Sequence, residues 1–126
     1  MQFIDPSSPF PEGALRLDNT FDVLAHAAAI GHHAALVLQF PKWTDGRAYS
    51  QAVLVRSRLR YAGTLIASGD VLADMVPLLR RCGFDAVQMR ADQKLESAQR
   101  ALGFFDSHYQ TVPPERGAHS PQELSP

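Results

Sequence analysis

Residues 34–50 read AALVLQFPKWTDGRAYS and decide the fold of the chain. The first seven residues of this stretch are almost continuously apolar and are too few for an independent helix. Continuous hydrophobicity of this length is typical of a parallel strand that is buried on both faces. A polar loop with Lys42, Asp45 and Arg47 follows, and from Ala48 apolar residues recur at helical spacing. The stretch therefore predicts a buried strand, a loop and a helix.

The same alternation of strand and helix recurs on both sides of this stretch. It gives the order β-α-β-α-β-α-β-α, and right-handed connections make the strands parallel. The sequence therefore predicts an α/β fold with about four parallel βα units, as a small open sheet or as a half-barrel resembling part of a (β/α)8 barrel. A half-barrel would expose apolar surface and is expected to form a homodimer. The predicted strands are residues 14–17, 34–40, 64–67 and 85–89, and the predicted helices are residues 21–30, 49–61, 71–82 and 95–102, with Gly31, Gly63, Gly83 and Gly103 ending them.

Proline and polar content divide the chain into three segments. Pro77 interrupts the third predicted helix and should kink it or move its start. The segments are residues 1–12 as an irregular N-terminal arm, residues 13–110 as a single α/β domain, and residues 111–126 as a disordered C-terminal tail. At the end of the domain, we expect Phe104, Phe105 and Tyr109 to pack against the core.

Composition excludes several classes of function. The chain has 126 residues and a net charge of −1, without the basic cluster that a nucleic-acid surface needs. A single cysteine, Cys82, cannot form an internal disulfide, and we expect it to be a buried structural residue. The sequence shows neither a signal peptide nor a membrane span, which predicts a cytoplasmic protein. It contains no nucleotide-binding glycine motif, and His32 and His33 lack further ligand spacing, so we expect no cofactor and no metal.

Polar residues follow the predicted strands where parallel α/β sheets bind ligands. One interpretation is an anion site, in which Lys42 and Arg47 hold a small oxyanion while Asp45 orients Arg47 or acts as a base. The other is structural, with Asp45 capping the helix, Arg47 paired to an aspartate and Lys42 solvated. Ser68 and Asp70 could complete the anion site or form a turn and a helix cap. Arg56 and Arg60 lie one helical turn apart, and we expect them to form a solvated stripe.

Three motifs resemble one bacterial family, domain of unknown function 934. They are FPKWTDGRAYSQA at residues 40–52, GDVLAD at residues 69–74 and RCGFDA at residues 81–86, and the resemblance extends over residues 14–110. The resemblance implies a role in assimilatory sulfite or sulfate reduction, with sulfite reductase or phosphoadenylyl-sulfate reductase as the partner. The family carries the description of an oxidoreductase, but the sequence contains neither a flavin or nicotinamide fingerprint nor a cluster of cysteines.

The chain departs from the family pattern at four positions. Thr64 and Ile66 stand where Glu and Arg are usual, Met75 where Gln is usual, and Arg60 where Gly is usual. Three functions remain open: an accessory protein of sulfite reduction with an oxyanion-binding rim, an independent enzyme acting on a small anionic substrate, and a non-catalytic interaction module. Whether the chain is an enzyme is therefore left open by its sequence.

Overall fold

The computed structural model describes residues 1–103, which form a parallel sheet and helices that pack against it. The predictions for Phe104, Phe105 and Tyr109, and for the tail at residues 111–126, lie outside the described residues.

Five parallel strands form one open sheet, in the order β1-β5-β4-β3-β2. This arrangement confirms the predicted α/β class, and the sheet is open because β1 and β2 are its two edges. The strands are β1 (Gln2–Phe3), β2 (Leu15–Leu17), β3 (Ala35–Phe40), β4 (Thr64–Gly69) and β5 (Ala86–Val87).

A helix follows each of the strands β2 to β5, as the apolar spacing predicts. Short 3-10 turns at Leu24–His26 and Ala73–Met75 lead into the first and third helices. The helices are α1 (Ala27–Gly31), α2 (Arg47–Ser57), α3 (Val76–Arg81) and α4 (Leu95–Ala101).

Strand β1 was not predicted from the sequence. The backbone N–H of Gln2 donates to the carbonyl of Asp85, and that of Ile4 donates to the carbonyl of Val87, both at 2.8 Å. Phe3 is buried beneath the helices. A two-residue strand has no periodicity of its own, so it is defined only by its pairing with β5 across the chain.

All four helices pack on one face of the sheet. Strands β2 to β5 are neighbours in chain order, and right-handed connections that advance in one direction place every helix on the same side. Ala48, Val55 and Leu79 of the helices are fully buried there, together with Leu38 and Leu65 of the strands. This face therefore holds the main hydrophobic core.

The N-terminal segment, residues 4–14, covers the opposite, helix-free face. A second buried cluster lies under it, and within residues 1–103 that cluster contains no helical residue. The Gln88 side chain donates to the backbone carbonyls of Asp5 and Ser8, each at 3.0 Å, and anchors the segment. The expected homodimer remains a prediction. The buried cluster comprises Ile4, Ala35, Val37, Ile66 and Ala86, with Phe10 and Ala14 packed against it.

Helix α3 ends in the predicted Schellman motif. Gly83 has a φ of 108°, its N–H donates to Arg80, and the N–H of Phe84 donates to Leu79. Phe84 is buried and supplies the accompanying hydrophobic contact. Pro77 moves the start of the helix to Val76 and occupies its first turn, where a missing N–H costs little.

Two predicted helix ends were wrong. Gly31 is the last residue of α1 but is not left-handed, and the helix is capped by His32 at a φ of −81°. Helix α2 ends at Ser57, before Gly63, and the left-handed position is Arg60, with a φ of 54°. The chain turns after α2 through two backbone hydrogen bonds. The N–H of Leu59 donates to the carbonyl of Leu54, and the N–H of Tyr61 donates to the carbonyl of Val55.

Arg56 is not part of a solvated stripe, contrary to the prediction. Its guanidinium donates to the carbonyls of Gly83, Tyr61 and Gly63 at 2.8–3.0 Å, and to the carboxylate of Asp85 at 2.5 Å. The side chains of Arg56 and Asp85 are only 15% and 12% exposed. Helical spacing predicts which face of α2 Arg56 occupies. It does not predict that the turns before β4 and β5 will cover that face.

Replacing Arg56 with Met should lower the free energy of unfolding by about 3 kcal/mol or more, because Asp85 and three carbonyls lose a partly buried partner. Urea denaturation measures the change. Arg58→Met, on the same helix end and exposed, is the control and should change stability by less than about 0.5 kcal/mol. Equal losses in the two variants would contradict the role given to Arg56.

Replacing Arg60 with Gly should raise the free energy of unfolding by about 1 kcal/mol, because a left-handed conformation is strained for Arg and easy for Gly. The matched control is Arg58→Gly, since Arg58 has a right-handed φ of −96°. That control should be neutral or destabilising. Thermal and urea unfolding of both variants test the prediction, and a less stable Arg60→Gly protein would contradict it.

Candidate functional site

The loops at the carboxyl ends of β2 to β5 meet along one edge of the sheet, which we call the rim. The rim consists of residues 18–20, 41–47, 70–71 and 90–92. The sequence predicted that polar residues of these loops would converge, and hydrogen bonds between the loops connect them in pairs.

Asp70 connects three of the rim loops. Its carboxylate accepts from the backbone N–H of Trp43 at 2.8 Å and from Nη1 of Arg90 at 2.7 Å. Its own N–H donates to the carbonyl of Phe40 at 2.7 Å. The chain approaches Phe40 this closely because Gly69, with a φ of 104°, has no Cβ, which would lie 2.4 Å from that carbonyl oxygen. Asp70 thus fixes the Trp43 loop and does not serve as the helix cap that the sequence suggested.

Arg90 belongs to the same cluster and pairs with two carboxylates. Its Nε and Nη2 donate to the two carboxylate oxygens of Asp92 at 2.7 and 2.8 Å, a bidentate contact. The hydrogen bonds from Arg90 lower the pKa of Asp92 to about 2 and, with the Trp43 N–H, lower the pKa of Asp70. The two carboxylates raise the pKa of Arg90. Asp70 and Asp92 are therefore ionised at neutral pH, and their two negative charges beside Arg90 disfavour an added anion there.

Asp45 forms a second cluster beside the first. It accepts from the backbone N–H of Arg47 at 3.1 Å and from Nδ2 of Asn19 at 2.7 Å, while Nε of Arg47 lies 3.6 Å away. The Arg47 N–H, followed by Asn19, lowers the pKa of Asp45. Asp45 therefore restrains the first residue of α2 from one residue before the N-cap, which is Gly46, and its carboxylate lies beside the Arg47 guanidinium.

Lys42, Trp43 and Arg47 project from the rim into solvent. Trp43 is 54% exposed, and the Arg47 side chain is 64% exposed. Lys42 is exposed as well, and no carboxylate within residues 1–103 pairs with it. The exposed side chains of the rim thus include these three, two of them cationic, together with the paired Arg90 and Asp92.

Ser68 lies apart from the other predicted site residues. It is buried on the helix-free face, and its hydroxyl is 3.3 Å from Oε1 of Gln88. Ser68 is still part of β4 and shares the helix-free face with Ile66, whereas Asp70 lies beyond the end of the strand, after Gly69, and reaches the rim. The structure thus brings Lys42, Asp45, Arg47 and Asp70 to one edge and leaves Ser68 out.

Sequence reasoning missed the buried amides that support the rim. Asn19 is 8% exposed, and its Nδ2 donates to the carboxylate of Asp45. Gln51 is 5% exposed, and its Nε2 donates to the carbonyls of Asp18 and Phe21 at 2.7 and 3.1 Å. A signal existed for Gln51, because a polar residue at a position of the apolar stripe of α2 needs a buried partner.

The remaining chemical candidates have structural roles. Cys82 caps the C-terminus of α3, and partial burial raises the pKa of its thiol, which disfavours the reactive thiolate. Tyr49 packs edge-on against Phe40 with ring centroids 5.1 Å apart. His33 bonds the Gly13 carbonyl through Nδ1. Across residues 1–103, no three His, Cys, Asp or Glu side chains cluster as a metal site would require, and no helix of that part has the length and apolarity to cross a membrane.

Two of the departures from the family pattern share one face of β4. Thr64 and Ile66 both point to the helix-free side, where Ile66 is fully buried under the N-terminal segment. Met75 is largely buried in the main core, and its sulfur lies 3.2 Å from the Leu72 nitrogen. None of the three belongs to the rim, so these departures leave the accessible rim side chains unchanged.

Comparison with known proteins identifies one family. The family model described as "Bacterial protein of unknown function (DUF934)" matches residues 14–119. No curated protein and no solved structure matches the chain. The match begins where the N-terminal segment ends, and it includes every residue of the rim.

Replacing Asp70 with Asn should make stability less dependent on acid pH. The pKa of Asp70 in the folded protein is below its ordinary value of 3.8, so its stabilisation is complete above that pH and is lost as the pH falls below it. Urea unfolding at pH 5 and pH 3 should therefore show a larger loss for the wild type than for Asp70→Asn. Asp74→Asn, at an exposed aspartate, is the control and should retain the wild-type difference.

Proposed function

The chain belongs to the DUF934 family, and we propose that it serves assimilatory sulfite or sulfate reduction as an accessory protein that docks onto a partner through its rim. The exposed Trp43, on a loop that Asp70 and Arg90 hold in place, is the observation that carries this proposal.

An exposed Trp on a fixed loop suits protein recognition. Trp and Arg are enriched among the residues that dominate binding energy, and a loop that is already ordered loses little entropy on docking. The Asp70 carboxylate bonds the backbone of Trp43 itself, which restrains the loop without occupying the indole ring. Trp43 is therefore presented with its apolar surface in water and its backbone fixed.

Lys42 and Arg47, on either side of Trp43, supply the charge of the proposed site. Both side chains are exposed. Asp45 Oδ1 lies 3.6 Å from Nε of Arg47, which leaves the other guanidinium N–H groups for a ligand. We infer that they hold a small oxyanion such as sulfite or sulfate, or an acidic group of the partner. Asp70 acts through the loop and does not contact this ligand.

The connection with sulfite reduction rests on the family resemblance. It makes sulfite reductase and phosphoadenylyl-sulfate reductase the partners to test first. The rim contributes the chemistry of docking, an indole between two cations, and such a surface complements an acidic patch that surrounds an apolar pocket.

The rim supports binding better than proton transfer. The carboxylates of Asp45, Asp70 and Asp92 all have lowered pKa values because each accepts hydrogen bonds, which makes them weaker bases. A general base works best with a pKa near the working pH. The alternative of an independent enzyme with Asp45 as base is therefore the less favoured proposal.

Trp43→Ala should abolish co-purification with the sulfite-reducing enzymes, because docking loses its central apolar contact. The experiment is an affinity pull-down from bacterial cells grown on sulfate as the sole sulfur source, with mass spectrometry for the two named reductases. Leu78→Ala is the control, since Leu78 is 41% exposed on α3, away from the rim. Equal recovery with Trp43→Ala and wild type would refute docking through the rim.

Arg47→Ala tests the anion component separately. Calorimetry with sulfite and with sulfate should show binding to the wild type and at least about tenfold weaker binding to the variant, since a charge-assisted contact is lost. Arg100→Ala removes an equal charge from α4 and should bind like the wild type. If Arg47→Ala binds as well as the wild type, Arg47 does not hold the anion.

A further inference from the structure

A cleft of about 410 Å³ lies at the amino end of the sheet, opposite the rim. It opens between the end of α1 and the loop that joins α2 to β4, residues 58–63. Its volume falls within the range of small-molecule sites. It plays no part in the rim proposal, because it shares no residue with the rim.

The cleft exists because its walls are made of small residues. Ala27, Ala34 and Ala62 line it with methyl groups, and Ile30 and Leu59 add larger apolar surface. Gly31 leaves further room, since a Cβ built there would meet no atom within 4 Å. The lining is therefore mostly apolar and would favour a hydrocarbon or aromatic body.

Some polar groups that line the cleft already have hydrogen-bond partners, and others can contact a ligand. The Tyr61 hydroxyl donates to the carbonyl of His33 at 2.7 Å, and burial raises the pKa of that hydroxyl. The His33 ring uses Nδ1 to contact the carbonyl of Gly13. Arg60 is exposed, and it has no carboxylate partner within residues 1–103. The guanidinium of Arg60 is thus the charged group available to a ligand.

Arg60 is also the only described non-glycine residue with a positive φ. Glycine would satisfy the turn at lower cost, so the backbone geometry does not explain an arginine there. Residues held in strained conformations cluster at ligand sites, where the side chain has a use that offsets the strain. An apolar cleft and a strained, available cation thus coincide at one position.

We propose that this cleft binds a small amphipathic carboxylate, whose apolar body lies among Ile30, Leu59 and the alanines while its carboxylate pairs with Arg60. The guanidinium suits a carboxylate because its planar N–H pairs match the two oxygens. The ligand is a free small molecule, since the cleft is confined to two short segments, residues 27–34 and 59–63, and its volume suits a small molecule.

The test uses octanoate, added to the ¹⁵N-labelled full chain and followed by NMR. Saturable shifts of the Gly31 and Gly63 amides are expected, because both glycines line the cleft. Octanamide has the same tail without the charge, and acetate has the charge without the tail. We expect octanamide to bind at least about tenfold more weakly, and acetate to give no saturable shift.

Two variants remove binding without loss of folding. Arg60→Gly removes the cation and relieves the positive φ, so its octanoate affinity should fall at least about tenfold while its unfolding midpoint holds or rises. Gly31→Leu fills the cleft and adds helix propensity, so binding should be lost with the midpoint unchanged or raised. Arg58→Ala removes a neighbouring charge outside the cleft and should bind octanoate like the wild type.

The proposal fails if octanoate produces no saturable shift in the wild type. It also fails if octanamide binds as tightly as octanoate, or if Arg60→Gly and Arg58→Ala weaken binding equally. None of these results affects the pull-down with Trp43→Ala, which tests the opposite edge of the sheet.

Discussion

The contacts of Arg56 are the constraint on which the rest of the fold depends. In this parallel sheet each helix must carry the chain back to the amino end of the next strand. The turns at that end leave carbonyl groups without partners. One guanidinium at the end of α2 satisfies three such carbonyls, in the turns before β4 and β5, and pairs with Asp85. Gly83 has to be glycine here, since a Cβ would lie 2.6 Å from Cγ of Arg56. The same residue thus ties the Schellman ending of α3 to α2.

The sequence predicts best where a local pattern and the tertiary structure agree. The continuous apolar runs gave β3 and β4, and Gly83 with Phe84 gave the end of α3, because burial on both faces and a left-handed turn leave direct marks in the chain. Strand β1 and the role of Arg56 could not be predicted in this way. Both are created by a partner from a distant part of the chain, Asp85 in each case, and no local pattern records that pairing.

The rim shows the same division. Topology alone predicted that Asp45, Arg47 and Asp70 would meet at the carboxyl edge. It did not give the pairing of Asp70 with Arg90 and the Trp43 backbone, which is a matter of side-chain rotamers across two loops. Ser68 was assigned to the rim because the predicted strand ended at residue 67, whereas β4 continues to Gly69 and so keeps Ser68 within the strand, on its helix-free face. Asn19 and Gln51 support the site from buried positions. Only Gln51 left a signal in the sequence, as a polar residue in the apolar stripe of α2.

The N-terminal segment that covers the helix-free face also bears on the order of folding. The pairs β2–β3 and β3–β4 join neighbouring parts of the chain, whereas β1 meets β5 from the opposite end of the described residues. Loop-closure entropy delays such long-range contacts until β5 is in place. We therefore expect β2 to β5 to assemble first, with Val37 and Ile66 briefly in contact with water, and the N-terminal segment to close over them last. The hydrophobic cluster on the helix-free face would therefore be the last part of the core to form during folding.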